Sequence, residues 1–209
     1  MQKANYIGFD LETGGFSEKR NPITELAMIA LDGNTLKEKD RIEFYIQPYD
    51  NLVVEKEALT ATGLKFSDIK NGYEKKKAFK MIKDFAYRNS INKSPRNLPI
   101  LFAHNSKFDE KFLREFFVLN NTEFTKVFNE TLICTQQWSK AFTGENVKLT
   151  LGECCKRVGI ELVDAHKAMN DTAAMVKLFQ FYVKSLRKVE AIEKESTETE
   201  TKTRTKFQF

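Results

Sequence analysis

The sequence predicts an α/β fold: a mixed five-stranded sheet that opens with an antiparallel three-strand meander and carries helices on both faces. Three observations support this expectation. Strand-like runs come first in a group of three, and strands then alternate with helical stretches. Turn residues separate the first runs, as in Asp32-Gly33-Asn34. The later stretches carry one apolar stripe each, with charged residues opposite.

The first strand covers roughly 4–11 and ends in the Gly14-Gly15 turn. Ile23 to Leu31 and Arg41 to Gln47 are the next two, and Pro48 ends the third. Glu55 to Thr62 reads as a short helix stopped by Gly63. Glu74 to Asn89 is a clearer one, with Ala78, Phe79, Ile82, Phe85 and Ala86 on one stripe. Leu98 to Ala103 is a strand, Ser106 to Leu119 a helix and Phe128 to Cys134 the fifth strand. Leu149 to Val158 is a helix ended by Gly159, and Met169 to Leu186 is the last long helix. The expected organisation is one folded domain over 1–187 and a tail over 188–209. The tail is rich in Glu, Thr and Lys and nearly free of apolar residues before Phe207, so it is expected to be disordered.

A chain of 209 residues is long enough for one well-packed core. Net charge is +5, and the tail's five basic and five acidic residues cancel, so the body carries the excess. A mildly basic body suits a polyanionic partner. No apolar run approaches a membrane span, and the first residues run straight into a strand, so neither a span nor a signal peptide is expected. Cys134, Cys154 and Cys155 lack metal-ligand spacing and read as free thiols of a cytoplasmic protein.

Three acidic sites fall on faces that should be buried. Asp10 and Glu12 lie two apart on a strand and project from one face. Asp109 precedes Phe112, Leu113 and Phe116 by three, four and seven residues, on or beside the core-facing stripe of its helix. A second reading of Asp109 stays open, because Ser106 with Asp109 three residues on resembles a capping box. Asp171 precedes Ala174, Met175, Leu178 and Tyr182 on the last helix, again along the apolar stripe. His166 reads as a loop residue just before that helix, either reaching the site or lying on the surface. Buried carboxylates at three element ends repel one another and each loses water. Two Mg²⁺ or Mn²⁺ ions about 3.5–4 Å apart would neutralise the cluster and hold a phosphate. Asp10, Glu12, Asp109 and Asp171 are then the expected metal ligands and catalytic carboxylates, with His166 as the general base acting on water.

These residues carry a resemblance. Asp-Leu-Glu-Thr-Gly-Gly at 10–15, His-Asn-Ser-Lys-Phe-Asp at 104–109, and His166 followed by Asp171 resemble the three ordered motifs of the DEDDh 3′–5′ exonucleases. That family includes the proofreading subunits of replicative polymerases. The resemblance extends to Glu25, Ala58-Leu59, Thr62-Gly63-Leu64 and Leu149-Thr150-Leu151, and covers about 6–180. It implies an RNase H-like sheet, two divalent ions, and release of nucleoside 5′-monophosphates from a single-stranded 3′ end. It also implies substrate contacts at Leu11, Thr13, Leu59, Thr62, His104, Asn105 and Phe108, all of which equally admit simple packing roles. Gly14 stands where the family usually has Thr, a change expected to loosen the turn.

Three functions follow as expectations. The first is a single-strand DNA exonuclease, with proofreading as its role and the tail's Phe207 and Phe209 docking on a polymerase or sliding clamp. The second is a 3′ exoribonuclease of the same family. The third is an inactive relative that only binds nucleic acid, against which all four carboxylates and His166 stand intact.

Overall fold

The computed structural model describes residues 4–94, 97–145, 149–162 and 167–206, with side chains described up to Ala191. Its strands are β1 (Tyr6–Thr13), β2 (Ile23–Leu31), β3 (Glu38–Tyr45), β4 (Ile100–Ala103) and β5 (Leu132–Cys134). They form one sheet in the order β3-β2-β1-β4-β5. The first three pair antiparallel, while β4 and β5 run parallel to β1, which is the mixed RNase H-like arrangement. Seven α-helices are described: α1 (Lys56–Thr62), α2 (Phe66–Lys70), α3 (Lys75–Arg88), α4 (Lys107–Val118), α5 (Thr135–Thr143), α6 (Leu151–Arg157) and α7 (Ala168–Lys206).

The sheet opens where chemistry needs access. Strand β1 pairs with β4 only over Tyr6 to Gly8, then continues alone on that side to Thr13. The free end of β1 lies at the switch point between the antiparallel and parallel halves of the sheet. Crevices at such points beyond the ends of parallel strands are where open α/β sheets bind ligands. Gly8 lets α7 approach: a Cβ there would lie 2.6 Å from the Phe102 ring and 3.0 Å from Val176. Phe102 stacks on Phe179 of α7 at 4.0 Å between centroids, which fixes α7 across β1. Burying each such phenyl ring contributes about 1.5–3 kcal/mol. On the other side of the sheet, Phe112, Leu113, Phe116 and Phe117 bury one stripe of α4.

Several elements differ from the sequence reading. Strand β1 reaches Thr13 rather than ending near residue 11, which puts both Asp10 and Glu12 inside it. Helices α2 and α5 were not expected: α2 spans only five residues, and the fully buried residues of α5 are the polar Thr135 and Ser139, which leave no apolar stripe to read. The fifth strand shrinks to three residues because Phe124–Lys126 forms a 3₁₀ turn that buries Phe124 and leads directly into buried Phe128. Where a separate tail was expected from 188, the backbone of α7 runs on as helix as far as Lys206. Glu, Lys and Ala in that stretch are good helix formers, and they extend a helix already nucleated by its packed first half. Phe207 and Phe209 lie outside the described residues. No helix among the described residues is long and apolar enough to cross a membrane. The three cysteines are free and buried.

Candidate active site

Three elements deliver four carboxylates to the open end of β1. Asp10 and Glu12 project from the strand, Asp171 comes from the first turn of α7, and Asp109 is the third residue of α4. Asp10, Glu12 and Asp171 each place a carboxylate oxygen within 4.8 Å of the others. Asp109 is 4 % exposed and is the charge that acts most strongly on Asp10. Its carboxylate accepts hydrogen bonds from its own N–H and from the N–H of Leu11. This anchors α4 to β1 between the two strand carboxylates. The capping-box alternative for Asp109 falls away: Ser106 has helical backbone angles and makes no side-chain cap.

The electrostatics are those of a site built for cations. Burial pushes Asp10 well above the usual carboxylate range, and Asp109, Glu12, Asp171 and Glu25 raise it further. Burial lifts Glu12 to about 8, with Glu25, Asp171 and Asp109 adding to it. Asp109 rises to about 8 by burial, against the pull of its two N–H donors. All donors are carboxylate oxygens, which suit hard divalent cations. The residues present therefore fit a divalent metal centre.

Beside Glu12 lies a cleft of about 450 Å³ lined by Leu11, Glu12, Thr13, Phe16, Ala58, Ala61, Thr62 and Phe108, among others. Four of the seven expected substrate contacts therefore face it: Leu11, Thr13, Thr62 and Phe108. Leu59 does not; on α1 it is Ala58, Ala61 and Thr62 that turn toward the cleft. Thr13 donates its hydroxyl to the carbonyl of Gly15 at 2.7 Å, so its side chain is left with acceptor capacity but no donor for the cleft. His104 has both ring nitrogens engaged, Nδ1 with the Thr135 hydroxyl at 3.0 Å and Nε2 with the Leu149 carbonyl at 3.1 Å. It braces the corner after β4 and has no ring nitrogen left for substrate. Asn105 is exposed at that corner with a positive φ of 54°, which asparagine tolerates. His166 lies outside the described residues, two positions before α7 begins.

The Gly14 turn is tight, where looseness was expected. Its N–H bonds the Pro22 carbonyl at 2.8 Å, and its own carbonyl takes the N–H of Glu55 at 2.7 Å. A Cβ at this position would lie 2.9 Å from the Val53 carbonyl, so threonine does not fit here.

Two residues of the site escaped the sequence reading. Phe16 is 82 % exposed, with its ring 6.4 Å from that of Phe108. The available signal was a large aromatic placed directly after a glycine turn. Glu25 was seen as part of the resemblance but not as part of the site. It pairs across the sheet with Glu12 and is 3 % exposed. One of its oxygens accepts the N–H of Ala168, the first residue of α7, while buried Oε2 has no hydrogen-bond partner among the described residues. Glu25 thus ties the start of α7, and with it Asp171, to β2. Burial and Glu43 raise it to about 7, opposed by that N–H and by Lys167. Glu25→Ala should weaken Mn²⁺ binding by about 10–100-fold, the usual cost of losing a group that orients metal ligands. Glu25→Gln keeps an acceptor for Ala168 and should stay within a few-fold of wild type. Calorimetric Mn²⁺ titration of both variants checks this.

An acid cluster at the switch point of an RNase H-like sheet, with a cleft beside it, is the arrangement of a metal-dependent nuclease, and the motifs that carry these four carboxylates are those of the DEDDh 3′–5′ exonucleases. The exonuclease (RNase T) family model matches residues 7–179, and the chain belongs to that family. It is 27 % identical over 190 residues to the Ribonuclease T of Photobacterium profundum, covering 88 % of this chain and 83 % of that one. It is 26 % identical over 184 residues to a DNA polymerase III PolC-type of Mycoplasmopsis pulmonis, covering 87 % of this chain and 12 % of the polymerase. The fold matches that of E. coli Exonuclease I solved with a dT13 oligonucleotide, with a TM-score of 0.72 and 17 % identity. That match covers 91 % of this chain, which spans only 43 % of the Exonuclease I chain.

Proposed function

We propose that this exonuclease removes nucleoside 5′-monophosphates one at a time from single-stranded 3′ ends, with RNA as its principal substrate. The observation that carries the single-strand reading is the cleft against Glu12, flanked by an exposed Phe16 ring and by Phe108. Aromatic faces hold unpaired bases by stacking, and a base still in a duplex cannot present its face to them. The preference for RNA is supported by the likeness to Ribonuclease T over most of both chains.

Asp10, Glu12, Asp109 and Asp171 would hold two Mg²⁺ or Mn²⁺ ions. Bound there, such ions supply charge neutralisation for the phosphodiester and polarisation of the attacking water. The chain's own work is to place the terminal nucleotide. Phe16 and Phe108 take the base, while the backbone of Leu11 and Thr13 lies beside the sugar. Asn105, at the exposed corner, is assigned a hydrogen bond to the terminal phosphate. His166 is assigned the role of general base, accepting the proton of the attacking water.

DNA proofreading is the second reading, favoured by the match to a segment of a PolC-type polymerase. In that reading the end of the chain carries a polymerase or clamp contact. One experiment separates these readings. Matched 5′-labelled single-stranded RNA, single-stranded DNA and blunt duplex are incubated with Mg²⁺ and with Mn²⁺. The proposal expects 3′-shortened ladders, with RNA cut fastest and the duplex resistant. Equal rates on duplex and single strands would remove the stacking argument, and faster cutting of DNA would promote the second reading.

A further inference from the structure

The loop from Gly14 to Asn21 is fastened on two sides. From behind, the Asn21 side-chain amide donates to the Val53 carbonyl at 2.9 Å and to Glu55 Oε1 at 3.0 Å, and accepts the Ser17 N–H at 3.0 Å. In front, the loop is tied to α4 by two ion pairs one helical turn apart, Lys111 with Glu18 and Lys19 with Glu115. The Lys111 tie falls on the residue that bears the exposed ring. Its Nζ donates to the Phe16 carbonyl at 2.7 Å and lies 3.4 Å from Glu18 Oε2. The same ammonium sits 5.1 Å from the Phe108 ring centroid and 5.3 Å from that of Phe112. One lysine therefore touches the backbone of one cleft aromatic and the face of the other.

Phe16 itself has almost nothing else to hold it. Its side chain is 82 % exposed, and Phe108 is its one ring neighbour among the described residues. Phe108 is packed from behind by Phe112 at 5.1 Å. The separation of the two rings is then set by where the loop backbone sits relative to α4, and Lys111 fixes that. We propose that Lys111 is a positioning residue that sets the spacing of Phe16 and Phe108, and so determines how well an unpaired 3′-terminal base is held. This rests on the base-stacking reading of the cleft. The lysine's charge is already used by Glu18 and the Phe16 carbonyl, which favours positioning over direct contact with a substrate phosphate.

The test is a double-mutant cycle on kcat and KM with a short single-stranded RNA. Lys111→Met keeps the length and apolar packing of the stem on a partly exposed helix face, so the variant should fold; circular dichroism and the melting curve verify it. Stacking of one base on an aromatic ring is strong enough that Phe16→Ala should raise KM by about tenfold. Lys111→Met should raise KM about fivefold with kcat within twofold, because the ring is still present but poorly placed. Lys111→Arg, which keeps a donor and a charge, should restore KM. In the Phe16→Ala background, Lys111→Met should have no further effect, and it should have none on an RNA whose 3′-terminal residue is abasic. If Phe16→Ala leaves KM unchanged, the stacking reading fails. If Phe16→Ala raises KM and Lys111→Met does not, stacking stands and the positioning role of Lys111 is overturned. If Lys111→Met raises KM equally in the Phe16→Ala background, the lysine contacts phosphate directly and the proposal is also overturned.

Discussion

Asp10→Asn is expected to lower turnover by about 10³-fold or more while making the metal-free protein more stable at pH 8. The activity loss follows from removing a charged ligand from the centre of the cluster, where electrostatic stabilisation of the reacting phosphate is concentrated. The stability gain follows from the repulsion among Asp10, Asp109, Glu12 and Asp171, which an amide at position 10 relieves. Linkage gives the pH window. Glu12 and Asp109 have folded values of about 8, raised from ordinary carboxylate values near 4. Between those limits the folded chain binds more protons than the unfolded chain. The metal-free protein is therefore most stable below about pH 4 as far as these groups are concerned, and loses that stability as pH rises toward 8. In EDTA, the wild-type melting temperature should fall from pH 5 to pH 8, and that of Asp10→Asn should fall less. Divalent ions replace the bound protons, so the stabilisation by Mn²⁺ should grow over the same interval. A wild-type melting temperature that is flat across it in EDTA would contradict the repulsion argument.

His166→Ala should lower turnover by about 10²–10⁴-fold, the usual contribution of a general base. Metal binding should persist, because the four carboxylates are untouched. The base must be neutral to accept a proton, so wild-type turnover at saturating metal should fall as pH drops below about 6.5, the ordinary value for imidazole. Holding the metal saturating separates this limb from protonation of the carboxylates. The variant's pH–rate profile should lose that limb. A variant with the wild-type profile and rate would assign His166 to an ordinary loop.

Much of the site was legible because periodicity places charges. The two-residue repeat of a strand put Asp10 and Glu12 on one face, and helical spacing put Asp109 and Asp171 on apolar stripes, where an isolated carboxylate has no reason to be. The meander and the parallel strands after it were legible from turn residues and element order. What was not legible depends on contacts distant in sequence. Glu25 matters because β2 pairs it with Glu12 and because α7 begins beside it, 143 positions further along. Lys111 gains its role only where the loop carrying Phe16, 95 positions earlier in the chain, folds against α4. His104 carried the family motif but spends both nitrogens on distant partners, Thr135 and Leu149. The continuation of α7 past Leu186 escaped for a different reason: composition argues about burial, and a helix can propagate from a packed end without burying more surface.

On this reading Asp10, Glu12, Asp109 and Asp171 hold the divalent cations on which hydrolysis depends. Calorimetric titration of Mn²⁺ into the metal-free protein at pH 8, alongside hydrolysis of single-stranded RNA in the same buffer, tests it most directly. Two Mn²⁺ ions per chain are expected, with proton release on binding, activity that rises with occupancy, and loss of both binding and activity in Asp10→Asn. Full hydrolysis in excess EDTA, or Asp10→Asn binding Mn²⁺ and cutting RNA as the wild type does, would contradict it.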